Sequence, residues 1–157
     1  MRKITLKTND ILNAFTVISN AKYTKLDDAD KVKVWKIARA LKPVADKFSD
    51  DREDASKTHL PTEDFEERRQ KAQQYQMMLS DKNADMTQAP MSPSQFWKFY
   101  EENAKYNKIV DDCLSDFGKK EVELEFEPLS EEAFGKLMSS NDWVMEQARA
   151  LGDIICE

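Results

Sequence analysis

A stretch of alternating residues at 121–127 constrains the fold of this chain more than any other feature. Glutamates occupy every second position, at Glu121, Glu123, Glu125 and Glu127. The residues between them are apolar, namely Val122, Leu124 and Phe126. A period of two residues predicts a β-strand with one apolar and one solvent-exposed face. Such a strand needs a partner.

The segment RKITLK at residues 2–7 has the same period, because Lys3 and Lys7 alternate with Ile4 and Leu6. Opposite charges that face each other across a strand pair contribute about 0.2–1 kcal/mol each. We therefore predict a small two-stranded sheet that pairs residues 2–7 with residues 121–127. The glutamates then form its outer face.

The rest of the chain has the composition of a helical protein. Only three glycines and five prolines occur in 157 residues, which favours helices over a turn-rich β fold. Apolar residues recur at steps of three and four, most clearly at residues 94–117. The fold class predicted is mainly α (α+β), a helical bundle of about five or six helices with the small sheet.

Two residues affect where the predicted helices bend or end. The helix around residue 40 has an apolar stripe that includes Val34, Trp35 and Leu41. Pro43 removes an amide donor from this helix, so we expect a kink or a break there. Gly118 follows the long helix at 94–117, where a C-terminal cap belongs.

We expect a single helical domain over residues 1–157. Residues 80–93 contain two prolines and small polar residues, which predicts a flexible loop. Residues 49–62 are acidic and lack apolar periodicity. They are predicted to be an exposed acidic connection, or a frayed continuation of the preceding helix.

Charge and cysteine content narrow the choice of partners and compartment. The chain has 24 basic and 30 acidic residues, a formal charge of −6, and the two signs are interspersed. A protein partner fits this balance better than nucleic acid.

Cys113 and Cys156 are predicted to be free thiols in a reducing compartment. We expect no membrane association, because no apolar run is long enough for a span and the first residues lack a signal-peptide core.

No residue pattern predicts an enzyme, a metal site or a cofactor. A straight row of strand glutamates diverges, whereas metal ligands converge on one ion. A uniform row also lacks the unequal environments that an acid–base pair needs. His59, the only histidine, lies in a polar segment and is expected to be solvated. Cys113 occupies a core-compatible position and is expected to be an inert thiol.

The residues with the best claim to partner contact are aromatic and basic. Trp97 falls off the apolar stripe of its helix, and Trp143 is a second candidate, so both could belong to an interface or to a homo-oligomer. Lys98 and Lys105 accompany them. With Lys108 and the aromatics of residues 94–117, they define an alternative function, binding of single-stranded nucleic acid. A further alternative is an acidic mimic of nucleic acid that uses residues 50–54 and 121–127.

Three stretches resemble a group of small uncharacterised proteins encoded by tailed phages and prophages. They are LKTNDILNAF at 6–15, KIARALKP at 36–43 and EVELEFEPLS at 121–130. Residues 49–93 and 141–157 have no counterpart, and the family has no catalytic residues to transfer. The resemblance implies a non-enzymatic protein of the host cytoplasm or the virion. It would act through contacts with a phage structural protein or a host protein, as a minor virion or assembly component or as an inhibitor.

Overall fold

A computed structural model describes all residues, 1–157, and confirms a mainly helical fold with one small sheet. Six α-helices, one 3-10 helix and two strands follow one another along the chain. In order they are β1 (Arg2–Lys7), α1 (Thr8–Ser19), α2 (Asp28–Thr58), α3 (Phe65–Ser80), the 3-10 helix (Met86–Gln88), α4 (Pro93–Lys119), β2 (Glu121–Phe126), α5 (Glu131–Ser139) and α6 (Met145–Ile155).

The predicted strand pairing is confirmed. β1 and β2 are antiparallel, with Arg2 opposite Phe126 and Lys7 opposite Glu121. Leu124 and Phe126 are buried, whereas the four glutamates at 121, 123, 125 and 127 are exposed. The Nζ atom of Lys3 lies 4.0 Å from the Glu123 carboxylate. The glutamates are therefore the solvated face of the sheet, as their spacing predicts.

The chain divides into two compact units. The first unit comprises residues 1–51 and 115–157, and the second comprises residues 52–114. Both α2 and α4 contain residues of the first unit and residues of the second. A single domain over residues 1–157 stays a prediction.

The first unit has a core built from both ends of the chain. Its largest fully buried side chains are Ile11, Ile37, Leu41, Leu129, Leu137, Leu151 and Ile155. The guanidinium of Arg2 donates to the carbonyl oxygens of Ile154, at 3.1 Å, and Cys156, at 2.7 Å. A cation there satisfies acceptors that the end of α6 leaves unpaired. Leu129 N–H also donates to Ile155 O at 2.8 Å, so β1, α6 and the segment after β2 are fastened together.

The second unit has an aromatic core between α3 and α4. The ring of Phe65 lies 5.1 Å, between centroids, from the rings of Phe99 and Tyr106. Tyr75 lies 4.8 Å from Phe96. Phe65, at the start of α3, thus contacts residues later in α4 than Tyr75 does, so the two helices are antiparallel. The Tyr106 hydroxyl donates to Ser56 O at 2.7 Å, which ties the last turns of α2 to this core.

Two local expectations are wrong. The helix α2 does not break at Pro43 but continues to Thr58, because buried residues on both sides of the proline, Leu41 and Ala55, hold the helix, whereas a kink there stays a prediction. Gly118 is not a C-terminal cap: it lies within α4 without a positive φ. A Cβ at Gly118 would overlap the side-chain amide of Asn9, so glycine permits a close approach there.

The two predicted connecting segments are partly structured. Within 49–62, residues up to Thr58 are helical and Ala55 is buried. Within 80–93, the Asp85 carboxylate accepts from Thr87 N at 3.0 Å and from Thr87 Oγ1 at 2.6 Å, which caps the 3-10 helix. Met91 is buried in the aromatic core. The mobility of 80–93 stays a prediction.

Candidate interaction site

Two neighbouring aromatic side chains project from the first turns of α4. Trp97 is 61% exposed and Tyr100 is 58% exposed. Their ring centroids lie 5.8 Å apart at an interplanar angle of 73°, an edge-to-face arrangement. We call these two residues the aromatic pair.

Phe96 supports the aromatic pair from below. Its ring lies 5.5 Å from Trp97 and 6.4 Å from Tyr100, and it is itself buried against Tyr75. Side chains held on a helix by packed neighbours lose little conformational freedom on binding. The aromatic pair is therefore a preorganised apolar surface.

An amide-lined groove of about 420 Å³ begins beside Tyr100 and runs between α3 and α4. Four amide side chains line it: Gln73, Gln76, Asn103 and Asn107. Carboxamides both donate and accept hydrogen bonds, as the peptide group does. Arg69, the one charged residue in the lining, already contacts Glu66 at 2.7 Å. The groove is suited to a neutral polar ligand such as a peptide backbone.

The lysines predicted to accompany Trp97 do not all share its face. Lys98, Lys105 and Lys108 are exposed, and none forms an ion pair. At about 100° per residue, Lys98 and Lys105 lie on a face of the helix roughly 100° away from that of Trp97. Lys108 lies on the same face as Trp97, about three turns further along α4. Lys98 lines a different cavity, with Arg68 and Lys71.

Trp143 belongs to the first unit, whereas the aromatic pair belongs to the second. It is half-buried, with its ring 6.3 Å from that of Phe134. It packs against the core of that unit. Its role in partner contact stays a prediction.

Two features of the site, the exposure of Tyr100 and the amide-lined groove, are not predicted by the sequence. Either Phe99 or Tyr100 fits the apolar stripe of α4 by its spacing in the sequence. Only the packing against α3 shows that Phe99 is buried and Tyr100 is exposed. The amide-lined groove requires the antiparallel placement of α3 and α4. Its only trace in the sequence is the recurrence of amides at helical spacing in both helices.

The structure brings one histidine and one cysteine together. Nε2 of His59 lies 3.7 Å from Sγ of Cys113, although 54 positions separate them. Cys113 is partly exposed rather than an enclosed core thiol. No three His, Cys, Asp or Glu side chains form a group that could hold a metal ion. The pair is thus a thiol beside an imidazole and nothing larger.

Comparisons of this chain with protein-family models, with curated proteins and with solved structures give no match. None of the helices combines the length and the apolar composition that crossing a membrane requires.

Proposed function

We propose that this chain is a non-enzymatic phage or prophage protein that acts by binding another protein through the aromatic pair, Trp97 and Tyr100. The observation that carries the proposal is the exposure of both rings, 61% and 58%, on a packed aromatic support. Trp and Tyr are enriched among the residues that dominate protein–protein affinity.

The amide-lined groove supports a protein partner over other ligands. An apolar anchor beside groups that pair with peptide N–H and C=O matches the usual anatomy of an interface, in which a buried aromatic centre adjoins hydrogen-bonding groups. The partner proposed is a phage structural protein or a host protein. The phage origin, and a site of action in the host cytoplasm or the virion, rest on the resemblance of residues 6–15, 36–43 and 121–130.

The proposal is tested by quantitative capture from phage-infected host lysate, followed by binding measurements with the purified partner. Removal of a hot-spot side chain costs about 2 kcal/mol or more, so Trp97→Ala should weaken binding by roughly 30-fold. Tyr100→Ala should have a smaller effect of the same sign. A partner that binds both variants as tightly as the parent chain would contradict the proposal.

Tyr23→Ala is the matched control. Tyr23 is 50% exposed but belongs to the first unit, far along the chain from the aromatic pair. The control should capture the same partner with unchanged affinity. Equal losses in all three variants would indicate general adhesion of exposed aromatics.

Single-stranded nucleic acid is the second candidate ligand. It is favoured by one observation: exposed lysines without ion pairs, among them Lys108 on the face of Trp97, follow the aromatic pair along α4. Base stacking contributes about 1–3 kcal/mol per base, and phosphate contacts make affinity fall steeply with salt. Filter binding of oligo(dT) at increasing salt concentration decides between the two ligands.

An acidic mimic of nucleic acid has the least support. Lys3 and Lys7 interrupt the glutamate face of the sheet. Asp51 contacts Lys47 at 2.7 Å, and Glu53 contacts Lys57 at 2.7 Å. Both acidic rows are thus interleaved with cations, which lowers the density of negative charge that a mimic needs.

A further inference from the structure

The first unit has an acidic groove between α6 and the β1–α1 segment. Its volume is about 550 Å³. Apolar residues in the lining include Leu6, Ala150 and Ile154. Three exposed carboxylates also line it: Asp10, Glu146 and Asp153. Arg149 is the single cation among the lining residues.

The carboxylates of the acidic groove outnumber its one cation, Arg149. None of the three forms an ion pair. Like charges around an apolar depression repel one another and favour a ligand that carries both apolar surface and positive charge. An apolar–cationic helix face is one such ligand.

The same unit exposes a helix face with that chemistry. Four residues at helical spacing make up the α2 face: Val32, Trp35, Lys36 and Arg39. Val32 is 49% exposed and Trp35 is 58% exposed. The Arg39 guanidinium carbon lies 5.3 Å from the centroid of the Trp35 ring, a cation–π contact.

The cations of the α2 face are also free. Lys36 and Arg39 are exposed and form no ion pair, whereas Lys33 contacts Glu127 at 3.2 Å and Lys42 contacts Asp46 at 2.6 Å. Lys36 and Arg39 therefore remain without an anionic partner in their own chain, and the Trp35 ring stays exposed. The positive charge of the α2 face is complementary to the carboxylates of the acidic groove, and its exposed apolar side chains suit the apolar part of the groove lining.

We infer that a second copy of this chain binds head to tail, with the α2 face of one copy in the acidic groove of the next. The two surfaces share no residue, so one copy can use both at once. A contact between two different surfaces is heterologous, and its repetition gives rings or open filaments rather than a closed two-fold dimer. The aromatic pair takes no part, so the inference does not depend on the proposed function.

Sedimentation equilibrium of the full chain at about 50 mM salt, where screening is weak, tests the inference. The mean mass should rise above that of the monomer as the concentration approaches about 1 mM, a range that detects even a millimolar Kd. It should fall when salt is added. A mass that stays monomeric throughout overturns the inference.

Two single variants separate the surfaces. Arg39→Glu disables the α2 face and keeps the groove, and Asp153→Arg disables the groove and keeps the α2 face. Each alone should associate at least about tenfold more weakly than the parent chain. Mixed in equal amounts, they should associate again, because the intact groove of one variant accepts the intact α2 face of the other and the two reversed charges are themselves opposite in sign.

Lys22→Glu is the charge-matched control, since Lys22 is exposed and lies outside both surfaces. It should associate like the parent chain, and circular dichroism should show that all variants are folded. If folded Arg39→Glu and Asp153→Arg associate as the parent does, or if their mixture does not associate, the inference is wrong.

Discussion

Two glycines of the first unit occupy ordinary helical backbone in different surroundings. A Cβ at Gly135 in α5 would meet nothing within 4 Å. A Cβ at Gly152 in α6 would lie 2.8 Å from the ring of Phe134. Neither residue has a positive φ. The first glycine therefore only weakens its helix, whereas the second permits close packing of α5 on α6.

Alanine at these two positions should have opposite effects on stability. Gly152→Ala forces the Phe134 ring to move, and we expect the free energy of unfolding to fall by about 1–3 kcal/mol. Gly135→Ala should raise it by about 0.5–1 kcal/mol, because alanine restricts the unfolded chain and favours the helix. Urea titration of both variants gives the two values. A gain in Gly152→Ala would show that the ring accommodates the methyl group without cost.

The Asp85 carboxylate gives a prediction about pH. Hydrogen bonds from the side chain and then the backbone of Thr87 lower its pKa below the ordinary value. Its contribution is therefore present above the pKa of the unfolded chain and is lost as the pH falls through the lower pKa of the folded state. Thr87→Val removes the hydroxyl donor, so the pKa of Asp85 should rise. NMR titration of the Asp85 carboxyl carbon measures it, and an unchanged pKa would show that the backbone donor alone is sufficient.

At the scale of elements, α2 shows where tertiary packing overrides local preference. Pro43 lies inside a helix of 31 residues, although its ring lacks the amide donor of that turn. Buried residues on both sides, Ile37 and Leu41 before it and Ala55 after it, keep the helix continuous. The Pro43 side chain is exposed.

Pro43→Ala should stabilise α2. Alanine restores the amide donor and has a helix preference about 3 kcal/mol better than that of proline, partly offset by the greater freedom of its unfolded chain. We expect a rise of about 1–3 kcal/mol in the free energy of unfolding, measured by urea titration. A loss of stability would mean that the apolar groove which Pro43 lines, with Val44 and Phe117, depends on the ring.

Some elements were readable from the sequence because their signal is local. The two strands are predicted by their alternation of apolar and charged residues, and the opposite charges of their lysines and glutamates predict that they pair. Trp97 was identifiable because it falls off the apolar stripe of α4. The spacing of α2 predicts Trp35 in its apolar stripe, but Trp35 is exposed. Steps of three and four fit two adjacent stripes, and only the packing of the core of the first unit selects the one with Val34, Ile37 and Leu41.

At the scale of the whole molecule, the buried residues form two separate clusters. One belongs to the first unit and is mainly aliphatic. The other is mainly aromatic, includes the fully buried Phe65 and belongs entirely to the second unit. A core that shares no buried side chain with another can lose packing by itself, so local opening can differ between the units.

Phe65→Ala tests whether opening is local. Removing a fully buried ring costs about 3–5 kcal/mol. We expect native-state hydrogen exchange to accelerate more at residues 52–114 than in the rest of the chain. Equal acceleration everywhere would instead support the single cooperative domain over 1–157 that the sequence predicts.

The three tryptophans of this chain differ in their surroundings. Trp35 lies beneath a guanidinium, Trp97 beside a phenol and Trp143 half-buried against a phenyl ring. Indole emission depends on polarity and on nearby charge, so three chains that each retain one tryptophan would fluoresce differently. The first would report the contact between copies, the second the arrival of a partner, and the third the integrity of the first unit. The protein thus contains intrinsic optical probes for the events proposed for it.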